Sequence, residues 1–203
     1  MTGADGLNVS RETLERLQIY EALLRKWTPR INLVAKSTLD VLWARHFVDS
    51  AQIYRLAPAP ADHWVDLGAG GGFPGLVVAI MGMEKGSPSR MTLAESDARK
   101  CAFLRTVIRE TGAPAEVINE RIEDIAPLQA DVVSARALAD LTRLLSFAAR
   151  HMAPGGIGIF PKGEAWRTEL DAAQSTWNFD YQVAKSETEQ GPVILSVTGV
   201  ARV

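Results

Sequence analysis

The sequence predicts a doubly wound α/β sheet preceded by two amphipathic helices. Three observations carry that reading. Beyond Pro60, short β-branched runs alternate with stretches of helical apolar spacing, the first run leads straight into a cluster of glycines, and the first 60 residues hold two helical stripes. Strand and helix alternation implies parallel strands joined by right-handed crossovers.

The first helix is expected to start after Ser10, a good N-cap. Leu14, Leu17, Leu24 and Trp27 then recur on one face, with Tyr20 and Leu23 filling in, until Pro29. A second stripe, Leu39, Leu42, Trp43, His46, Phe47, Ile53 and Tyr54, is read as one continuous helix ending at Pro58-Ala59-Pro60. Strands are expected at 63–67, 90–95, 115–119, 131–135 and 157–160, with helices near 75–82, 98–110 and 140–151. A helix over 165–174 and an antiparallel hairpin of strands at 181–186 and 193–202 complete the chain. Residues 1–60 are expected to be a helical extension packed on a core domain of residues 61–203.

Composition narrows the classes of function. The chain of 203 residues is 47% hydrophobic and 23% charged, which supports a folded core and excludes global disorder. A lone cysteine, Cys101, and an amino terminus without a basic start or apolar stretch point to the reducing cytosol. The longest nearly uncharged apolar run, Gly75 to Met83, falls well short of the ~20 residues of a membrane span. Net charge is −2, so there is no bulk attraction to nucleic acid, although the first 60 residues are net positive. The three histidines are far apart and no metal-ligand spacing occurs, so no metal is expected. Cys101 reads as a buried thiol, and the five tryptophans mostly as core.

The strongest local signal is VDLGAGGGFPG at 65–75. Glycines after a strand permit a tight turn and close approach of a ligand, and the helix behind them offers unpaired N–H groups; Pro74 suits its first turn. Gly70, Gly72 and Gly75 fit the G-x-G-x-x-G dinucleotide fingerprint, but the first glycine after the strand is Gly68, and from there Phe73 occupies the third fingerprint position. Asp66, two residues before Gly68, disfavours a diphosphate and is expected to attract a cationic amino-acid group through solvent. S-adenosylmethionine carries such a group and no phosphate. Glu95, at the end of the second strand, is placed to accept the hydroxyls of an adenosine ribose, and Ile122 beside Glu123 to pack on adenine.

With these residues in view, the chain resembles the bacterial 16S rRNA guanine-N7 methyltransferases once called glucose-inhibited division protein B. The matching pieces are WTPRINL at 27–33, RHFVDS at 45–50, VDLGAGGGFPG at 65–75, ESDARKCAFL at 95–104, ERIED at 120–124, ARALA at 135–139 and PKG at 161–163. The resemblance implies a Rossmann-like class I S-adenosylmethionine-dependent methyltransferase, with amino-terminal helices and a seven-stranded, mostly parallel sheet whose last strand is antiparallel. It implies cofactor-site positions at Gly68, Phe73, Ile122, Glu123 and Arg136 and a ribose-binding acid at Glu95; Asp66, Gly70 and Gly72 of the glycine loop are expected to complete the cofactor site. Arg45, His46, Arg121, Arg136 and Lys162 match positions expected to touch 16S rRNA in the small ribosomal subunit. A monomer is expected. Where relatives carry an Arg-His pair before the last strand, this chain has Pro192-Val193.

Guanine N7 has an in-plane lone pair and no proton to lose, so no catalytic base is expected and catalysis rests on orientation. If Arg45, Arg136 and Lys162 each neutralise one phosphate, log affinity for RNA should fall with log salt at a slope of roughly −2 to −3. Arg45 and Asp49, four apart, share a helix face; taken alone they read as an exposed ion pair, and with the resemblance in view this helix is expected to line the rim of the substrate cleft. The rival readings are a nicotinamide-dependent oxidoreductase, a small-molecule methyltransferase and a noncatalytic, cofactor-sensing RNA-binding protein.

Overall fold

The computed structural model describes residues 7–203; residues 1–6, the start of the expected extension, lie outside the described residues. Helix α1 (Arg11–Trp27) begins where expected, with Ser10 Oγ accepting from the Thr13 amide at 3.2 Å. Its face of Leu17, Tyr20 and Leu24 is buried against the core. The second stripe is not one continuous helix. It divides into a 3₁₀ turn (Lys36–Thr38), a π-helical turn (Trp43–Val48) and α2 (Asp49–Leu56). Apolar periodicity marks the buried side of Leu42, Phe47 and Ile53 without distinguishing the number of residues per turn, which is why the π turn is invisible in the sequence.

The core then runs β1 (His63–Leu67), α3 (Gly75–Lys85), β2 (Arg90–Ala94), α4 (Ala98–Thr111), β3 (Ala115–Ile118), β4 (Ala130–Ser134), α5 (Leu141–His151), β5 (Met152–Lys162), α6 (Trp166–Gln174), β6 (Trp177–Lys185) and β7 (Val193–Arg202). Asp97 and Asp140 cap α4 and α5 through their carboxylates, and Gly86 and Gly112 close α3 and α4 in left-handed conformation. Strand β5 starts five residues before its expected beginning at Ile157. The 153–156 segment, with its Pro and Gly pair, is accommodated as a shift of register, in which Ala130 pairs with Met152 and Val132 with Ile157. Strand β6 likewise begins early, at buried Trp177, with an irregularity between Asn178 and Asp180.

The seven strands lie in the order β3-β2-β1-β4-β5-β7-β6. The first five are parallel, and β7 runs antiparallel to both β5 and β6. Connections run outward in opposite senses from β1 and β4, so a crevice opens at their carboxyl ends, the place where open α/β sheets take ligands. The amino-terminal helices pack on the side of the sheet that carries α3 and α4, within a core that includes Tyr20, Phe47, Phe73 and Phe103. Trp64, Trp166 and Trp177 are buried, and Trp27 and Trp43 pack partly buried against the core. No helix of the described residues is long and apolar enough to cross a membrane.

Candidate cofactor and acceptor site

Strand β1 delivers Asp66 beneath the glycine loop. Its carboxylate is fully buried, accepting from the Gly75 amide at 3.0 Å and from Ser134 Oγ at 2.7 Å, while Ser134 Oγ accepts from Trp64 Nε1 at 2.9 Å. This corrects the expected solvent-mediated role. Asp66 faces no cavity and instead ties β1, β4 and the first turn of α3 together. A second difference concerns the close helix–strand packing, for which the register from Gly68, with Phe73 in the third fingerprint position, gives no glycine. Gly75 makes it: a Cβ there would lie 2.8 Å from both Asp66 Cβ and Oδ2. Pro74 occupies the N-cap of α3, one position before the expected place.

Burial pushes the Asp66 carboxyl up to about 7, against the bonds from Ser134 and Gly75 that lower it. The native state therefore holds this proton more tightly than the unfolded chain, and the contribution to stability is complete below pH ~4 and lost as pH rises through ~7. Relative to Asp66→Asn, the wild-type protein should lose on the order of 4 kcal/mol of unfolding free energy between pH 4 and pH 8. Urea denaturation of both proteins across that range checks this; a constant difference would show that Asp66 stays ionised.

Gly68, Gly70 and Gly72 all take positive φ, at 66°, 53° and 93°. The loop is braced from behind, because Tyr20 Oη donates to the Gly71 carbonyl and a Cβ on Gly72 would lie 2.7 Å from that hydroxyl. Two cavities meet at the loop, with Gly68, Gly70, Lys100, Ala137 and Ala139 lining both. The smaller, about 420 Å³, holds Glu95, Arg121, Ile122 and Glu123. Its volume and backbone-lined floor suit a nucleoside-sized ligand. Glu95 Oε2 accepts from the Gly70 amide at 2.9 Å and Oε1 from the Asp97 amide at 2.8 Å, so this acid also sets the loop. Glu123 pairs with Arg143 at the rim. Cys101 is buried, its Sγ directed at the Glu95 carbonyl at 3.2 Å.

The larger cavity, about 530 Å³, holds Arg45, His46, Phe73, Arg136 and Lys162. Phe73 thus lies on this side, not among the lining of the smaller cavity. Its ring stacks on Tyr20 at 5.2 Å, meets Phe47 edge-on at 5.3 Å, and carries the Arg136 guanidinium 5.1 Å from its centroid. Arg136 Nη1 donates to the Arg45 carbonyl at 3.2 Å and to Asp49 Oδ2 at 3.4 Å, and Nη2 to His46 Nδ1 at 2.8 Å. A guanidinium only donates, so Nδ1 is unprotonated and His46 carries its proton on Nε2, directed at Thr38 Oγ1 at 2.9 Å. Burial, then the charges of Arg136 and Arg45, lowers His46 to about 3 and keeps the imidazole neutral.

Arg45, His46 and Asp49 line this cavity, and Arg45 and Asp49 do not pair with each other. Arg45 pairs with Glu189, and Asp49 with Arg136. Lys162 is also committed: it is 7% exposed, pairs with Glu169 at 2.5 Å and donates to the Ala139 carbonyl at 3.0 Å. Each of the three cations expected to meet phosphate therefore already has a carboxylate partner in this structure. Arg121 sits apart from these residues, beside the smaller cavity, and Gly72 lines neither cavity. Reading the sequence missed Lys100, Glu169 and Glu189, and did not give Asp49 its partner Arg136. Lys100 lies inside a quoted motif, whereas the partners of the three carboxylates are set by tertiary structure.

A sheet with a reversed β7 between β5 and β6, a glycine loop after β1 and an acid after β2 has the architecture of the class I methyltransferases. The fold is similar to that of a ribosomal protein L11 methylase from Lactobacillus delbrueckii subsp. bulgaricus, with a TM-score of 0.60 and 14% identity, covering 76% of this chain and 78% of that one. Residues 13–192 match the family described as rRNA small subunit methyltransferase G. A ribosomal RNA small subunit methyltransferase G from Ruegeria pomeroyi is 55% identical over 200 residues, covering 98% of each chain. One from Rhodospirillum centenum is 53% identical, covering 95% of this chain and 87% of its own. The chain belongs to the rRNA small subunit methyltransferase G family.

Proposed function

We propose that this protein is an S-adenosylmethionine-dependent methyltransferase acting on N7 of a guanine in 16S rRNA, working in the cytosol, with residues 1–60 as an extension of a methyltransferase domain at 61–203. The observation that carries the choice of acceptor atom is the state of the larger cavity. Among the described residues lining it, every carboxylate and the one imidazole are engaged: Asp49 with Arg136, Glu169 with Lys162, Glu189 with Arg45, and His46 with Arg136 and Thr38. No group stands ready to take a proton. An acceptor with a free lone pair and no proton to lose, such as guanine N7, suits such a cavity.

The cofactor, when bound, supplies a methyl group activated by a sulfonium. Gly68, Gly70, Glu95 and Ile122 would hold it, through backbone approach, a carboxylate acceptor and an apolar face. Glu123 and its partner Arg143 form the outer rim of that site. Phe73 and Arg136 form the wall on the acceptor side. Positive charge moves to the purine as the methyl transfers, and a bare cation beside N7 would oppose that. The charge of Arg136 is offset by Asp49, and Phe73 presents a ring, so the wall does not. Arg136 keeps its Nε–H and one Nη2–H for guanine O6, leaving N7 open.

The test is labelled-methyl transfer from S-adenosylmethionine to 16S rRNA and small subunits taken from a strain lacking the protein. Label in RNA is expected. Label appearing only in a small molecule would overturn the substrate assignment.

A further inference from the structure

The segment between β6 and β7 crosses the amino-terminal helical region and walls one side of the larger cavity with Ser186, Thr188 and Glu189. Its turn is self-capped, since Ser186 Oγ accepts from the Thr188 amide at 3.2 Å and the Glu189 amide at 3.3 Å. Polar contacts dock it on α2 and the π turn. Glu187 pairs with Arg55 at 2.5 Å, and its amide donates to Gln52 Oε1 at 2.7 Å. Thr188 Oγ1 donates to Asp49 Oδ1 at 3.0 Å, and Glu189 pairs with Arg45. Both arginines of the π turn and α2 are thus held by carboxylates from one short strap. Both pairs are open to water, with between 38% and 62% of each side chain exposed, in contrast to the enclosed Lys162–Glu169 pair. Exposed pairs are weak and exchange readily.

We infer that the strap is a displaceable gate: RNA phosphates take Arg45 and Arg55 from Glu189 and Glu187, and the strap leaves the cavity wall as the base is admitted. This rests on the proposed RNA substrate. The chemistry is anion exchange. A phosphate that reaches Arg45 or Arg55 must compete with a carboxylate already there, and the released carboxylate is left beside a polyanion. The same two arginines therefore both gate the cavity and report the presence of RNA. A base that undergoes chemistry must leave its stack and enter a pocket, so access through this wall is part of substrate selection.

Two measurements test the gate. First, Glu187→Gln with Glu189→Gln should bind rRNA about three- to thirtyfold tighter than wild type, as expected for removing two exposed pairs. Its salt slope should be steeper by up to ~2, because each arginine then displaces a cation from the RNA with no freed carboxylate to take one up. Adding Arg45→Gln and Arg55→Gln should abolish the gain. A gain that persists without the arginines, or no gain at all, would overturn the proposal. Calorimetry with S-adenosylmethionine should be unchanged, because neither glutamate lines the smaller cavity. Second, in the wild-type protein, amide hydrogen exchange at Glu187, Thr188 and Glu189 should accelerate on addition of rRNA. Slower exchange there would contradict displacement. Methyl transfer by the same wild-type preparation separates the two claims: RNA methylation without faster strap exchange sinks the gate alone, and no RNA methylation sinks the function and the gate with it.

Discussion

Replacing Arg136 with Ala is expected to lower methyl transfer to rRNA by about 100-fold or more, while the affinity for S-adenosylmethionine changes by less than about threefold. The separation follows from position. Arg136 lines the larger cavity and not the smaller one. Its loss frees the Arg45 carbonyl, Asp49 Oδ2 and His46 Nδ1 at once, and uncovers the ring of Phe73. The remaining carboxylate is only 21% exposed, so a fall in melting temperature should accompany the loss of turnover; breaking one side of a buried pair costs about 3 to 5 kcal/mol, less here because water reaches the pair. Arg136→Lys should rescue little, because a compact ammonium cannot reproduce the fork that reaches three acceptors. Equal losses in cofactor affinity and turnover would place Arg136 in the cofactor site instead.

Glu95→Gln should show the opposite pattern: cofactor affinity weaker by about 10- to 100-fold, with turnover at saturating cofactor close to wild type. The carboxylate accepts from two backbone amides, Gly70 and Asp97. A glutamine amide places a donor against one of them, and hydrogen bonds to a charged acceptor are worth about 1.5 to 3 kcal/mol each. The glycine loop then loses its outer tether, and the acceptor proposed for ribose is weakened. Calorimetry with S-adenosylmethionine and saturation kinetics distinguish this from a general loss of folding, which would reduce both together.

Much of the fold was legible because its signals are local. The strand beginnings at His63, Arg90, Ala115 and Val193, the Ser10 cap and the glycine loop all depend on neighbours within a few residues. The start of β5 was not legible, since Pro154-Gly155-Gly156 reads as a turn, and the strand is carried through it by the pairing of Met152 and Ile157 with β4 on either side. The π turn was missed because it preserves the apolar face. At the site, Glu95 and Ile122 line the smaller cavity, as a strand-end acid and a hydrophobic neighbour of the loop should. Asp66 was misjudged because a carboxylate at a strand end looks exposed until the packing of Gly75 and Ser134 is known. The cations were located but their state was not: Asp49, Glu169 and Glu189 neutralise Arg136, Lys162 and Arg45 across 87, 7 and 144 positions of chain, and only Lys162, ending β5, and Glu169, in α6, are close in sequence. Formal charge along a sequence does not report which charges have already met.

The central claim is that a cavity without an available base methylates a nitrogen that needs none. Digestion of rRNA methylated by the wild-type protein, followed by mass spectrometry of the labelled nucleosides, tests it most directly. The account predicts 7-methylguanosine as the labelled product. Label on a ribose hydroxyl, on an exocyclic amine or on a base carbon would require a proton acceptor that the described cavity residues do not offer, and would contradict it.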